Sequence, residues 1–247
     1  MSYHSEYLTQ PPLHVASKLI QNEYPACLAS FLAGSVVRKE HTASSDLDIV
    51  IVTLQDPAAP YRKSCVQGGW PIELFVHTPD SLTRFFEMDK NARTPSLPQM
   101  VCEGLIIQQQ EPWAEHFKTQ AQSLLDSGPD ALSEAEIQSS RYHLSDLLED
   151  LRGSQRPEES LFIGAKLAES AAQFYLSYHR YWSGQGKWLH RALKRANPAQ
   201  AESLVQALDA LYQDQISKPL IEWVETVLKT VGGTLFDGYY LRAPSSD

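Results

Sequence analysis

Two aspartates one residue apart, Asp46 and Asp48, open an apolar run of Leu47, Ile49, Val50, Ile51 and Val52. A polar loop separates them from a Gly34-Ser35 step that ends an earlier apolar run. In an extended strand, residues two apart share a face, so both carboxylates point one way while Leu47, Ile49 and Ile51 point the other. Two carboxylates on one face of a buried strand repel each other and are costly to desolvate. A hard cation between them resolves both problems, and Mg²⁺ takes few carboxylates together with substrate phosphates. The Gly34-Ser35 turn offers backbone N–H groups and a hydroxyl to those phosphates, because Gly lets the main chain approach closely. The chemistry these residues could do is metal-assisted work on substrate phosphates.

Gly34-Ser35, then Arg38, then Ser45-Asp46-Leu47-Asp48-Ile49 resembles the signature of the DNA polymerase β-like nucleotidyltransferases. Within that superfamily it is most similar to the antibiotic-modifying and minimal branch, whose pattern is roughly G-S-x-x-R-G-x(5)-S-D-h-D-h. One position departs from it: Lys39 stands where Gly is usual after the Arg. The resemblance implies a third carboxylate on the strand beside the Asp pair, and Glu73 is the matching residue. Glu73 would complete a metal site or take the proton from an acceptor hydroxyl; the alternative is a solvated Glu on an edge strand. The resemblance further implies Ser35 and Gly34 holding a triphosphate, Arg38 touching phosphate, and Lys39 as a weaker phosphate contact. It also implies a helical domain that closes over the cleft and sends a basic side chain to the triphosphate. Lys187, following the Ser183-Gly184-Gln185-Gly186 turn beside Trp188, is the candidate. Lys187, Arg191 and Lys194 fall at i, i+4 and i+7, one face of a helix.

The elements that must position these groups are legible as follows. Pro11-Pro12 leads into a short amphipathic helix with Val15, Leu19 and Ile20 on one side. Cys27 to Ala33 reads as the first strand and Leu47 to Thr53 as the second. Asp56 to Ser64 reads as a Pro-rich connection, and Gly68-Gly69 as a turn. Pro71 to His77 alternates strictly, with Ile72, Leu74 and Val76 opposed to Glu73, Phe75 and His77. A helix follows from Thr78-Pro79 to Met88, then a loop from Lys90 to Pro98, and another helix over Pro112 to Leu125. Asp126-Ser127-Gly128-Pro129-Asp130 is the clearest linker, dividing a nucleotidyltransferase-type domain (1–127) from a helical bundle (131–247). In the second part Ser133-x-x-Glu136 is a capping box. Long apolar helical patterns follow over 158–182 and 198–228, with Pro219 expected to kink or split the latter. The aromatic residues Phe236, Tyr239 and Tyr240 are expected to pack back on the helices. The expected fold class is therefore α+β: a small mixed sheet with flanking helices, plus a C-terminal helical bundle.

Composition narrows the function classes. Hydrophobic residues at 43% and charged residues at 21% of 247 describe an ordinary globular chain. A net charge of −9 argues against a broad surface for duplex nucleic acid and suits a neutral or cationic acceptor. The three cysteines, Cys27, Cys65 and Cys102, are widely spaced and form no zinc pattern, which points to a reducing compartment. Residues 1–10 are polar, lack a signal-peptide pattern and are expected to be loose or wrapped on the surface. No apolar run approaches a membrane span of about 20 residues, so no membrane partner and a cytoplasmic location are expected.

The function implied is Mg²⁺-dependent transfer of a nucleoside monophosphate, AMP from ATP or the counterpart from another nucleoside triphosphate, to a hydroxyl of a small acceptor such as an aminoglycoside-like antibiotic. Glu73, Glu103, Asp146 and Glu149 are candidate acidic contacts for such a polycation. Two other readings stand beside it. One is a protein-nucleotidylating enzyme of the antitoxin type, and the other a nucleotide-binding module without turnover.

Overall fold

The computed structural model describes residues 10–54 and 56–241, and the expectations for residues 1–9 and for the end of the tail lie outside that range. The chain divides into two compact units, 1–128 and 129–247.

In the first unit, α1 (Pro12–Glu23) starts with Pro in its first turn, where the missing N–H is not needed. It is followed by β1 (Ala29–Ala33), the single helical turn α2 (Gly34–Val37), and β2 (Leu47–Val52). Then come β3 (Tyr61–Gln67), β4 (Trp70–His77), α3 (Pro79–Asn91), α4 (Ser96–Glu103), β5 (Leu105–Gln109) and α5 (Trp113–Ser127). The five strands form one mixed sheet in the order β3-β4-β2-β1-β5. β2 and β4 run parallel; the other neighbouring pairs are antiparallel.

Each sheet face has its own layer, and strand alternation decides which residue joins which. Leu47, Ile49 and Ile51 of β2, with Ile72, Leu74 and Val76 of β4, pack with Val15, Leu19 and Ile20 of α1. Val50 and Val52 turn the other way, into a core with Phe31, Leu82 and Phe86 of α3, Val101 of α4 and Phe117 of α5. Asp48 is on the face of Val50, two residues earlier. The apolar layer that buries Val50 completely leaves Asp48 half-buried.

Three local readings need correction. The Pro-rich connection over Asp56 to Ser64 contains the start of β3, which forms a hairpin with β4 across Gly68-Gly69. The loop over Lys90 to Pro98 contains the start of α4: Pro98 lies in its first turn, and the Asp89 carboxylate accepts from the Leu97 N–H at 2.7 Å. The Gly34-Ser35 step is one turn of helix.

The second unit is all helical: α6 (Glu134–Gly153), α7 (Pro157–Tyr178), α8 (Lys187–Ala196), α9 (Pro198–Asp214) and α10 (Lys218–Lys229). Ser133 and Glu136 form the capping box that starts α6. α7 stops at Tyr178, short of the Trp182 its apolar pattern suggests. Pro219 splits the last segment, taking a first-turn position of α10. The core joins Leu144, Leu148 and Leu151 of α6 to Leu167 and Ala171 of α7, Leu211 of α9 and Val224 of α10. A Cβ at Gly164 of α7 would come within 2.2 Å of Leu211 Cδ2, so glycine there lets α7 and α9 pack closely. In the tail, Tyr239 stacks on Tyr142 with ring centroids 4.1 Å apart, Phe236 lies beside the same ring, and Tyr240 is exposed.

Candidate active site

Asp48 and Glu73 are register partners across the parallel β2–β4 pair, so the two carboxylates leave the sheet side by side on one face. Asp46 stands just before β2, two residues from Asp48. One carboxylate oxygen from each of Asp46, Asp48 and Glu73 lies within 4.8 Å of the other two. All three residues are half-buried.

Across the neighbouring antiparallel pair, Ala33 is the partner of Asp48, which brings Gly34 against the same carboxylate. Gly34 has φ +78°, and a Cβ there would sit 2.1 Å from Asp48 Oδ2. Glycine is required twice over, by backbone conformation and by contact. The Ser35 hydroxyl donates to Ser45 Oγ at 3.2 Å, and Ser45 Oγ accepts from the Thr42 N–H at 2.9 Å. The loop between α2 and β2 is thus tied back to the Gly34-Ser35 step. Lys39 lies in this loop at φ +58°, in the left-handed region that glycine favours.

Burial raises the Asp48 carboxyl to about 6, with the charges of Asp46 and Glu73 adding to the effect. Arg38 and Arg62 act in the opposite direction. This donor set fits a hard divalent cation: three oxygens converge, and burial with two neighbouring carboxylates outweighs the two arginines at Asp48.

Arg38 ends α2, and its Nη1 donates to Glu103 Oε2 at 3.1 Å while its Nε faces Glu40 Oε2 at 3.5 Å. It stands close enough to stabilise the Asp48 charge, with a carboxylate pair on its other side. Glu103, a candidate contact for a cationic acceptor, is engaged by Arg38 and by Gln99. The first unit therefore gathers Gly34, Ser35, Asp46, Asp48 and Glu73 around one point, with Arg38 beside it. Lys187 belongs to the second unit, where it is the exposed first residue of α8 with its Nζ 5.8 Å from the Trp188 ring centroid. Asp146 and Glu149 are on α6, and Glu149 pairs with Arg152.

Arg62 was not legible as a site residue. It projects from β3, its guanidinium pairs with Glu73, and it lies 4.8 Å from the Phe75 ring centroid. The signal that could have found it is the Gly68-Gly69 pair: two extended runs across such a turn form a hairpin, which places Arg62 on the strand next to Glu73.

No protein-family model and no curated protein matches the sequence. Among solved structures, the chain is similar to a nucleotidyltransferase-like protein from Exiguobacterium sibiricum 255-15, with 15% identity and a TM-score of 0.48. The match covers 87% of this chain and 74% of that one. At that identity and score the likeness carries no residue roles.

Proposed function

We propose that the chain is a Mg²⁺-dependent nucleotidyltransferase that moves AMP from ATP to a hydroxyl on a small acceptor. The observation that carries this reading is the convergence of Asp46, Asp48 and Glu73 beside a glycine that must remain glycine. In nucleotidyl transfer an acceptor oxygen forms a bond to the α-phosphorus, the bond to the bridging oxygen breaks, and pyrophosphate leaves with that electron pair. Bound magnesium supplies charge neutralisation for the triphosphate oxygens.

Asp46 and Asp48 would hold the metal at the start of β2. Gly34 and Ser35 cradle the triphosphate; the first N–H groups of a helical turn have no acceptor within that turn and are available to phosphate. Arg38 adds positive charge at the same edge. Glu73 serves either as a third metal ligand or as the group that takes the proton from the acceptor hydroxyl, a role that requires hydrogen-bond reach of that hydroxyl. The net charge of −9 favours a cationic acceptor, of which an aminoglycoside is the test case. Lys187, as a further phosphate contact, belongs to the same proposal.

The test is incubation with each labelled nucleoside triphosphate, Mg²⁺ and a panel of aminoglycosides, followed by mass spectrometry of the products. The expected result is release of pyrophosphate with an acceptor heavier by one nucleoside monophosphate, and loss of both in Asp46→Asn and Asp48→Asn. Label on a protein would replace the small acceptor by a protein hydroxyl. Nucleotide binding without turnover on any acceptor, undiminished in Asp48→Ala, would overturn the transferase reading.

A further inference from the structure

Building on the reading of Asp46, Asp48 and Glu73 as a divalent-cation site, we propose that Arg62 is a competing internal cation. It holds Glu73 when the site has no metal, and it moves to phosphate when a nucleoside triphosphate binds. The Arg62 guanidinium pairs with one oxygen of Glu73, whose carboxylate is part of the three-oxygen cluster. It reaches that carboxylate diagonally across the hairpin, since the register partner of Arg62 is Phe75 and that of Glu73 is Ser64. β3 is the edge strand of the sheet, and the Arg62 side chain is 59% exposed while Glu73 is 26% exposed. The long side chain can therefore leave the pair without unpacking the core. While paired with Glu73 the guanidinium also lies over the Phe75 ring, 4.8 Å from its centroid. Arg38 differs, being held by Glu103 and Glu40.

A guanidinium and a divalent ion on the same carboxylate cluster repel each other, so each weakens the binding of the other. A triphosphate changes the balance, because its oxygens accept a guanidinium fork in the way a carboxylate does. Metal and nucleotide then bind cooperatively, with Arg62 as the coupling group. In this scheme Arg62 acts through Glu73 and the charge of the cluster before the nucleotide binds, and on phosphate afterwards.

The test is calorimetric titration of the full chain with Mn²⁺ alone, and again with a non-hydrolysable ATP analogue, in wild type, Arg62→Gln, Arg62→Lys and Asp48→Asn. Thermal unfolding of each variant shows that it is folded. Arg62→Gln is expected to bind Mn²⁺ alone roughly three- to tenfold more tightly than wild type, since a single like charge near the cluster is gone. Arg62→Lys is expected to stay near wild type, and the gain in Mn²⁺ affinity on adding the analogue is expected to shrink in Arg62→Gln. A merely structural role for Arg62 would weaken Mn²⁺ binding, the opposite direction. Equal or weaker binding by Arg62→Gln, with binding abolished in Asp48→Asn, would overturn the role of Arg62 and leave the metal site standing. Absence of Mn²⁺ binding in every form would overturn the metal-site reading and this inference with it.

Discussion

At Asp48 the fold works against the charged form: burial and two like charges raise the carboxyl from 3.8 to about 6. An acid with a raised native pKa binds more protons folded than unfolded between those two values. Asp48 therefore supports the metal-free fold fully below about pH 4, and that support is lost as the pH rises through about 6. Asp48→Asn removes this dependence, so its advantage in denaturation midpoint over metal-free wild type is expected to grow from pH 4 to 6 and then level. Excess Mg²⁺ or Mn²⁺ is expected to reverse the ranking above pH 6, because only the wild type gains the ion's binding energy. Denaturant titrations at several pH values, with and without the ion, check both signs. Gly34→Ala is expected to destabilise the protein by roughly 2 kcal/mol and to abolish nucleotide binding, because it combines an unfavourable φ with a clash against Asp48. Chemical denaturation and nucleotide titration measure the two effects separately.

The same logic applies to whole elements. The loop from α2 to β2 carries Lys39 in a left-handed conformation, so Lys39→Gly is expected to stabilise the first unit. The gain should be below about 1 kcal/mol, since glycine also adds freedom to the unfolded chain. In the second unit, Ser133→Ala removes the side chain that accepts from the Glu136 N–H at the start of α6, and is expected to lower stability by about 1 kcal/mol. Denaturation midpoints decide both. β3 escaped a reading by pattern because it is an edge strand: Arg62, Lys63, Ser64 and Val66 are all exposed, so burial imposed no alternation on them. The start of α4 escaped because its proline lies in the first turn, where proline is compatible with a helix but resembles a loop signal.

At the scale of the molecule, the described residues form separate apolar cores, two against the faces of the sheet and one among the helices of the second unit. No described helix is long and apolar enough to cross a membrane. The three carboxylates, Gly34 and Arg62 all belong to the first unit. A fragment ending at Gly128 is therefore expected to unfold cooperatively and to bind Mn²⁺ within a few-fold of the full chain. Circular dichroism and calorimetry of the fragment would show it; a fragment that folds but fails to bind Mn²⁺ would mean that residues beyond Gly128 complete the site.

The sequence by itself determined the α+β class and the placing of Asp46 and Asp48, two residues apart, at the start of an apolar strand. Both are local: hydrophobic period and residue spacing act over a few residues, and a strand turns alternate side chains the same way wherever it lies. The resemblance implied Glu73 on the strand beside the Asp pair, but only the tertiary structure decided the parallel register of β2 against β4 that sets it next to Asp48, which no spacing along the chain encodes. The same holds for Gly34 under Asp48, for Glu103 on Arg38 and for Arg62 on Glu73. These contacts exist because strands and helices distant in sequence share a sheet, and their partners are chosen by the burial of both faces at once.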